Sequence, residues 1–404
     1  MNRTNRRTFL QTALGATAVA ALAPRALPQT TGKNDSSSPL PCAPTAWKKH
    51  GIILEATEPW EGRGIQNFTS PAELLPNGEW RLWYSISGSR NGVGIAYADG
   101  VPGKPMKKFP AQCSTGDPED APLAIGNLPD KWRPVQVVYI RLRNGKHRIY
   151  FWAHGPGILR YLAAESDDGR RYRVVNLLRP VLYHPNDRAA QGIASPDGVM
   201  LRKELNKDRP AGEPLAVPRL ISNDATNVYQ LPDGTFELYS VALVPVLKSD
   251  PAYMPHDNAP GLLRVVDRYT SEDGLRFESR ARIIQRDAKD PVDQQFYYLA
   301  VTRTSKGCVG MLGNYRCQAQ TMDLEWCYSR DGTEWQRPFR QAWLPRSEPP
   351  EVDSYGIYAN SRLVQHDGKW HLFYTAVNSA HNGKHSHGKP RQVIMHATTD
   401  SIWA

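Results

Sequence analysis

The stretch Leu231-Pro232-Asp233-Gly234-Thr235-Phe236-Glu237-Leu238-Tyr239 decides the fold. An Asp-Gly pair sits between residues that alternate apolar and polar. Two-residue hairpin turns need positive φ at their central positions, and Asn-Gly or Asp-Gly supplies it at little cost. The pattern returns as Leu75-Pro76-Asn77-Gly78-Glu79-Trp80, as Leu142-Arg143-Asn144-Gly145-Lys146-His147 and as Gln365-His366-Asp367-Gly368-Lys369-Trp370. A weaker copy is Thr304-Ser305-Lys306-Gly307-Cys308. The turn glycines stand at 78, 145, 234, 307 and 368, with steps of 67, 89, 73 and 61 residues. Repetition on that scale is the mark of a propeller or an array.

A second turn follows these hairpins: Ser166-Asp167-Asp168-Gly169, Ser271-Glu272-Asp273-Gly274 and Ser329-Arg330-Asp331-Gly332, each with an aromatic residue three positions on. Weaker forms are Tyr97-Ala98-Asp99-Gly100 and Thr398-Thr399-Asp400-Ser401. Ser and Asp bond the local backbone and Gly completes the turn, so the element reads as an architectural staple. Windows with helical periodicity are scarce. Five matched hairpins predict an all-β chain, a five-bladed β-propeller of four-stranded antiparallel blades. The strand near Gly51 to Leu54 is expected to pair with the last blade and close the ring. Residues 201–216 and 378–390 read as insertions.

Composition agrees. The chain has 404 residues, 40% hydrophobic and 22% charged, which fits a globular protein. Tyr (18) and Trp (11) outnumber Phe (9), and Gly (31) and Pro (33) are frequent, which favours short strands and turns. Collagen, coiled coil and wholesale disorder are excluded. No apolar run reaches the roughly 18 residues of a membrane span.

Residues Asn5-Arg6-Arg7-Thr8-Phe9-Leu10, followed by an apolar stretch from Ala13 to Ala23, resemble a twin-arginine export signal. The expected organisation is a signal at 1–26, a linker at 27–46 and a propeller at 47–404. It implies a bacterial periplasmic or secreted protein, off the membrane once the signal is cleaved. Cleavage removes four arginines and brings the formal +10 to +6. That charge is modest and scattered, so nucleic acid is not expected as a partner. The five cysteines have no CxxC pair, and Cys317 with Cys327 form a possible cross-strand disulfide. P-loop, GxGxxG, HExxH and GxSxG signatures are missing.

Three segments leading into hairpins share a pattern: Asp224-Ala225-Thr226-Asn227-Val228-Tyr229, Asp293-Gln294-Gln295-Phe296-Tyr297-Tyr298 and Asp353-Ser354-Tyr355-Gly356-Ile357-Tyr358. If these are equivalent inner strands, three carboxylates converge on the axis. Like charges held close push their pKa values apart, which separates an acid from a base. The competing reading is that each Asp caps a turn before its strand. Glu61, Arg63 and Asn67 from the first blade and Trp132 and Arg133 from the second are candidate substrate ligands, with Gln294, Tyr297 and Tyr355. The segment 378–388 carries His381, His385 and His387. It reads as a solvated loop before a metal site, with His381 as a candidate proton donor. No cofactor is expected, and an axial divalent cation is compatible with the acidic residues without being required.

Axial carboxylates on a five-bladed propeller with these turns resemble glycoside hydrolase families 32, 43, 62, 68, 117 and 130. The resemblance spans about Trp47 to Trp403. It implies a carbohydrate substrate and a carboxylate trio acting as base, acid and orienting group, with inversion as in families 43 and 117. On that basis Asp224 takes the base role, Asp293 the orienting role, and Asp353 or His381 the acid role. Arg63, Arg133 and Tyr297 would hold an acidic or sulfated sugar. One departure stands out: the first blade reads Gly64-Ile65-Gln66-Asn67-Phe68, without the Asp that families 32 and 43 carry there. The alternatives are a non-catalytic carbohydrate-binding propeller and a glycoside phosphorylase.

Overall fold

A computed structural model describes residues 46–66, 70–87, 94–113, 122–155, 158–182, 221–246, 248–277 and 279–403. Strand β1 (Lys48–Leu54) is followed by a single 3₁₀ turn, Pro59–Glu61. The first blade contains β2 (Gly64–Gln66), β3 (Ala72–Leu74), β4 (Trp80–Ser87), β5 (Ile95–Gly100) and β6 (Lys107–Cys113). Strand β7 (Leu123–Gly126) bridges to the second blade, β8 (Arg133–Arg141), β9 (His147–Gly155), β10 (Ile158–Ser166) and β11 (Arg171–Val174). The third blade is β12 (Ile221–Gln230), β13 (Phe236–Pro245), β14 (Leu262–Ser271) and β15 (Ser279–Ile284). The fourth is β16 (Gln294–Thr304), β17 (Gly307–Arg316), β18 (Thr321–Ser329) and β19 (Ala342–Leu344). The fifth contains β20 (Gly356–Ala359), β21 (Val364–His366), β22 (Lys369–Val377) and β23 (Gln392–Thr399). Within each blade, neighbours in this order pair antiparallel. The inner strand is in two pieces in the first and fifth blades, where β3 and β21 also pair with the second strand.

Strand β1 pairs with β23, so the N-terminal strand completes the last blade, as the sequence led us to expect. Hydrogen bonds also carry the ring from one blade to the inner segment of the next. Tyr139 N donates to Ser70 Oγ at 3.3 Å, Tyr161 Oη to Thr226 O at 3.5 Å, and Asn227 Nδ2 to Leu299 O at 2.7 Å. Tyr298 Oη donates to Ile357 O at 3.1 Å and Ser361 N to Ser70 O at 3.4 Å. Tyr229 Oη receives Val301 N at 2.8 Å and bonds Ser361 O. The protein is a β-propeller.

Every hairpin read from the sequence joins the first strand of a blade to the second. The staples join the third strand to the fourth, and their bonds are those the motif implies. Gly274 N donates to Ser271 Oγ at 2.9 Å, and Leu275 N and Arg276 N donate to Asp273 Oδ1 at 2.7 and 3.0 Å. The staples are also locked from the preceding blade. Tyr150 Oη donates to Gly274 O at 2.9 Å, and Tyr239 Oη to Gly332 O at 3.2 Å. Hairpins and staples therefore share one end of the propeller. The second-to-third and fourth-to-first connections share the other, the loop end, and those after β13 and β22 are long.

The core lies between blades, because each blade buries both faces. Trp83, Trp152, Tyr150, Tyr239, Tyr298 and Tyr374 are fully buried. Cys317 and Cys327 are both free and buried, as is Cys308, so the disulfide considered above does not form. Strand β18 holds Cys327 opposite Gly310 of β17, while Cys317 lies beyond the end of β17, which separates the two thiols. Among the described residues no helix is long and apolar enough to cross a membrane.

Candidate functional site

Long connections at the loop end bring together residues far apart in sequence. Segment 246–261, between β13 and β14, supplies Asp257 and Asn258. Arg264 follows on β14, Gln295 and Tyr297 come from β16, Tyr315 from β17, Tyr358 from β20, and His381 from the connection after β22. Arg264 is a buried cation. Its Nη1 donates to Asp257 Oδ2 and to Gln295 Oε1, both at 2.8 Å, and its Nη2 bonds Asn258 Oδ1. Its guanidinium stacks over Tyr297 at 5.1 Å and Tyr315 at 5.3 Å. Tyr315 Oη donates to the second oxygen of Asp257 at 2.7 Å. Burial alone would raise the Asp257 carboxyl, but Arg264 and then Tyr315 bring it below the ordinary carboxylate value. A charge pair this buried survives because the remaining lone pairs are satisfied.

His381 closes this group. Its Nδ1 lies 2.9 Å from Tyr358 Oη and its Nε2 3.3 Å from Asn258 Nδ2. Its ring packs edge-on against Tyr297 at 4.7 Å and Tyr315 at 4.9 Å. The connection that bears it is held rather than loosely solvated. His381 N donates to Gln320 O, Ala380 N to His385 O and His387 N to Asn378 O. The far side of the same connection borders a cleft of about 510 Å³ lined by Asp323, Arg346, Glu348, Tyr355 and His387 among others. There the His387 ring packs at a tilt against Tyr355 at 4.6 Å, and Ser354 Oγ bonds His387 Nδ1 at 3.0 Å.

The expected residues divide accordingly. Tyr297 and His381 meet in the network around Arg264, and Tyr355 faces the cleft. Asp293, just before β16, is buried and accepts from Arg316 Nε at 3.0 Å and Nη2 at 2.7 Å, and from Gln318 N at 3.2 Å. Asp353, before β20, is buried and accepts from Lys49 Nζ at 2.6 Å. Lys49 comes from the outermost strand of the fifth blade and also reaches Pro345 O at 2.7 Å. Burial and the neighbouring Asp353 carboxylate raise the Tyr374 hydroxyl well above its usual value. Asp293 and Asp353 thus have separate cationic partners and share none. Gln294 is buried, and its Nε2 lacks a hydrogen-bond partner among the described residues.

Glu61 is a structural group rather than an open ligand. It is fully buried, its Oε2 accepts from Thr57 N, Glu58 N and Lys108 Nζ at 2.7, 2.8 and 2.6 Å, and its Oε1 accepts from Tyr84 Oη at 2.9 Å. Trp132 packs in the second blade, with the Arg160 guanidinium 5.2 Å over its ring, and Arg133 opens β8 beside it. Arg63 is exposed in the turn after the 3₁₀ segment. Asn67 and the insertion at 201–216 lie outside the described residues, as does the side chain of Asp224, whose backbone belongs to β12. Sequence reasoning missed Asp257, Asn258, Arg264 and Tyr358.

No protein-family profile and no curated protein matches the sequence. Solved structures do. A complex of BT0996 with RGII aligns at TM-score 0.55 and 14% identity, over 89% of this protein and 93% of that one. A thermostable family-43 glycoside hydrolase aligns at 0.51 and 11%, over 82% and 88%. These proteins share this fold. An N-acetylgalactosamine deacetylase from F. plautii, in complex with blood group B trisaccharide, aligns at 0.50 and 13%, over 90% and 95%. The likeness to glycoside hydrolase propellers drawn from the turns therefore holds for the architecture. A deacetylase and a glycoside hydrolase on one scaffold also show why the reaction must be argued from the site.

Proposed function

We propose that this chain is an exported glycoside hydrolase acting on a poly- or oligosaccharide at the loop end of the propeller, with inversion. The observation that carries the reading is the Asp257–Arg264–Asn258–His381–Tyr358 network, assembled from the third and fifth blades around the buried Asp257–Arg264 pair, on a fold shared with a family-43 glycoside hydrolase. Such a network costs stability to bury, and orientation of reacting groups is what it returns. An oxocarbenium-like transition state needs a proton for the leaving oxygen and a base for water. Asp224 takes the base role. Asp293, fixed by Arg316, suits an orienting carboxylate. Asp353 is committed to Lys49, so the acid role moves to the His381 side of the site. Tyr355 and His387 present an aromatic surface and hydrogen-bonding groups to the adjoining cleft, the pairing that sugar rings use. Release of reducing ends from a panel of plant and algal polysaccharides by the purified protein tests the reading, and no release from any member would count against it.

One observation favours a second reading. Both described aspartates of the expected trio are already paired with cations, which suits a propeller that binds carbohydrate without cleaving it. That reading predicts saturable binding of an oligosaccharide with no product after prolonged incubation.

A further inference from the structure

Hydrogen-bond direction narrows the acid role further. Arginine carries donors only, so Arg264 Nη2 fixes the carboxamide oxygen of Asn258 toward itself. The Asn258 amide nitrogen then faces His381 Nε2 at 3.3 Å. That nitrogen is a donor, so Nε2 accepts. A neutral imidazole accepting at Nε2 carries its proton on Nδ1. The Nδ1–H points at Tyr358 Oη, 2.9 Å away. Tyr358 oxygen is the acceptor in that bond, and its own hydrogen is turned away from His381. Direction is thus passed outward, from Asp257 to Arg264, to Asn258, to His381 and to Tyr358.

We propose that Tyr358 is the proton donor of the site and that His381 is a positioning residue, its Nδ1–H holding the phenolate that donation leaves. The substrate side of this inference rests on the hydrolase reading above. The Tyr358 proton passes to the glycosidic oxygen as the bond from the anomeric carbon to that oxygen breaks, and the oxygen keeps the bonding pair. Water bonds to the anomeric carbon and yields its proton to Asp224. Solvent then returns the proton from Asp224 to Tyr358, so the enzyme ends as it began.

The hydrogen-bond order can be read without any substrate. In protein labelled with ¹⁵N-histidine, long-range proton–nitrogen correlation distinguishes the two tautomers, and His381→Gln identifies the His381 signals. The expected result at pH 7.5 is the Nδ1–H form. In Asn258→Asp the carboxylate accepts, so Nε2 gains a proton. An Nε2–H form in the parent protein, or the same pattern in both proteins, overturns the order. In protein labelled with ¹³Cζ-tyrosine, the Tyr358 phenol should ionise at higher pH in His381→Gln than in the parent, and an unchanged titration removes the positioning role. Once a substrate is in hand, Tyr358→Phe should lower kcat by about 10²-fold or more with KM little changed, and Asn258→Asp should move the pH profile. A Tyr358→Phe protein with the parent kcat overturns the donor assignment. Failure to find any substrate would instead remove the hydrolase reading while leaving the tautomer result in place.

Discussion

The hairpin end and the loop end of the blades hold their residues in different ways. At the hairpin end a turn closes within four residues, as Gly274 N bonds Ser271 Oγ, and a tyrosine of the preceding blade clamps it. At the loop end the partners are remote: Arg264 and Gln295 are 31 residues apart, and Asn258 and His381 are 123 apart. Local bonding leaves a motif that repeats in the sequence. Remote bonding leaves none, because each partner comes from a connection of its own length and composition. Stability and chemistry are therefore expected to separate between the two ends.

The sharpest way to break that division is Gly274→Ala. Gly274 has φ of +69°, and a Cβ there would lie 2.7 Å from Arg148 Nη1, Phe236 Cδ1 and Tyr150 Oη. Left-handed strain and overpacking together should cost about 3 kcal/mol in urea unfolding, with activity per folded molecule retained. A stable but inactive Gly274→Ala protein would put chemistry at the wrong end.

The closing seam offers a second test. His50, His371 and His396 stack across β1, β22 and β23, facing Trp80 and Phe373, with Lys48, Lys369, His366 and Asp367 as the charged or titratable neighbours. Burial, then His371 and His50, lowers His396 to about 3, and burial with Arg133 lowers His154 of the second blade to about 4. Free histidine titrates near 6.5. The unfolded chain therefore binds protons first, and stability is full above about pH 6.5 and is lost as pH falls toward the folded values. The slope should be about 1.4 kcal/mol per pH unit for each of these two histidines. His396→Leu should flatten the dependence measured from pH 6.5 to 5, and an unchanged slope would refute the assignment.

The smallest effect sharpens the view of the staple lock. Tyr239→Phe removes the hydroxyl whose single hydrogen is shared between Glu237 Oε2 at 3.0 Å and Gly332 O at 3.2 Å. The loss should be about 1.5 kcal/mol, visible as a lower denaturant midpoint with an unchanged slope. No measurable change would mean that Arg268 and Arg303 already satisfy Glu237 and that the lock is redundant.

Much of the fold was legible. Asn-Gly and Asp-Gly turns located the hairpins, Ser-x-Asp-Gly located the staples, and the strand at Gly51 to Leu54 found its place because the last blade needed a fourth strand. The Asp-led segments were rightly read as entries to inner strands, yet side-chain partners were not readable from them. Arg316 and Lys49 lie 23 and 304 residues from the aspartates they pair with. Glu61 did carry a signal, since a Glu three residues after Glu58 across Pro59 has the spacing of a capping box. Asp257 and Arg264 carried none, because two charges seven residues apart across a loop and a strand fit no periodicity.

The most direct test of the central claim is end-product analysis of a polysaccharide panel treated with the purified protein and with Asp224→Asn. The account predicts new reducing ends from at least one polymer, anomeric inversion in the first product, and a loss of about 10³-fold or more in the variant. Parent-level cleavage by Asp224→Asn, or tight oligosaccharide binding with no cleavage by either protein, would contradict it.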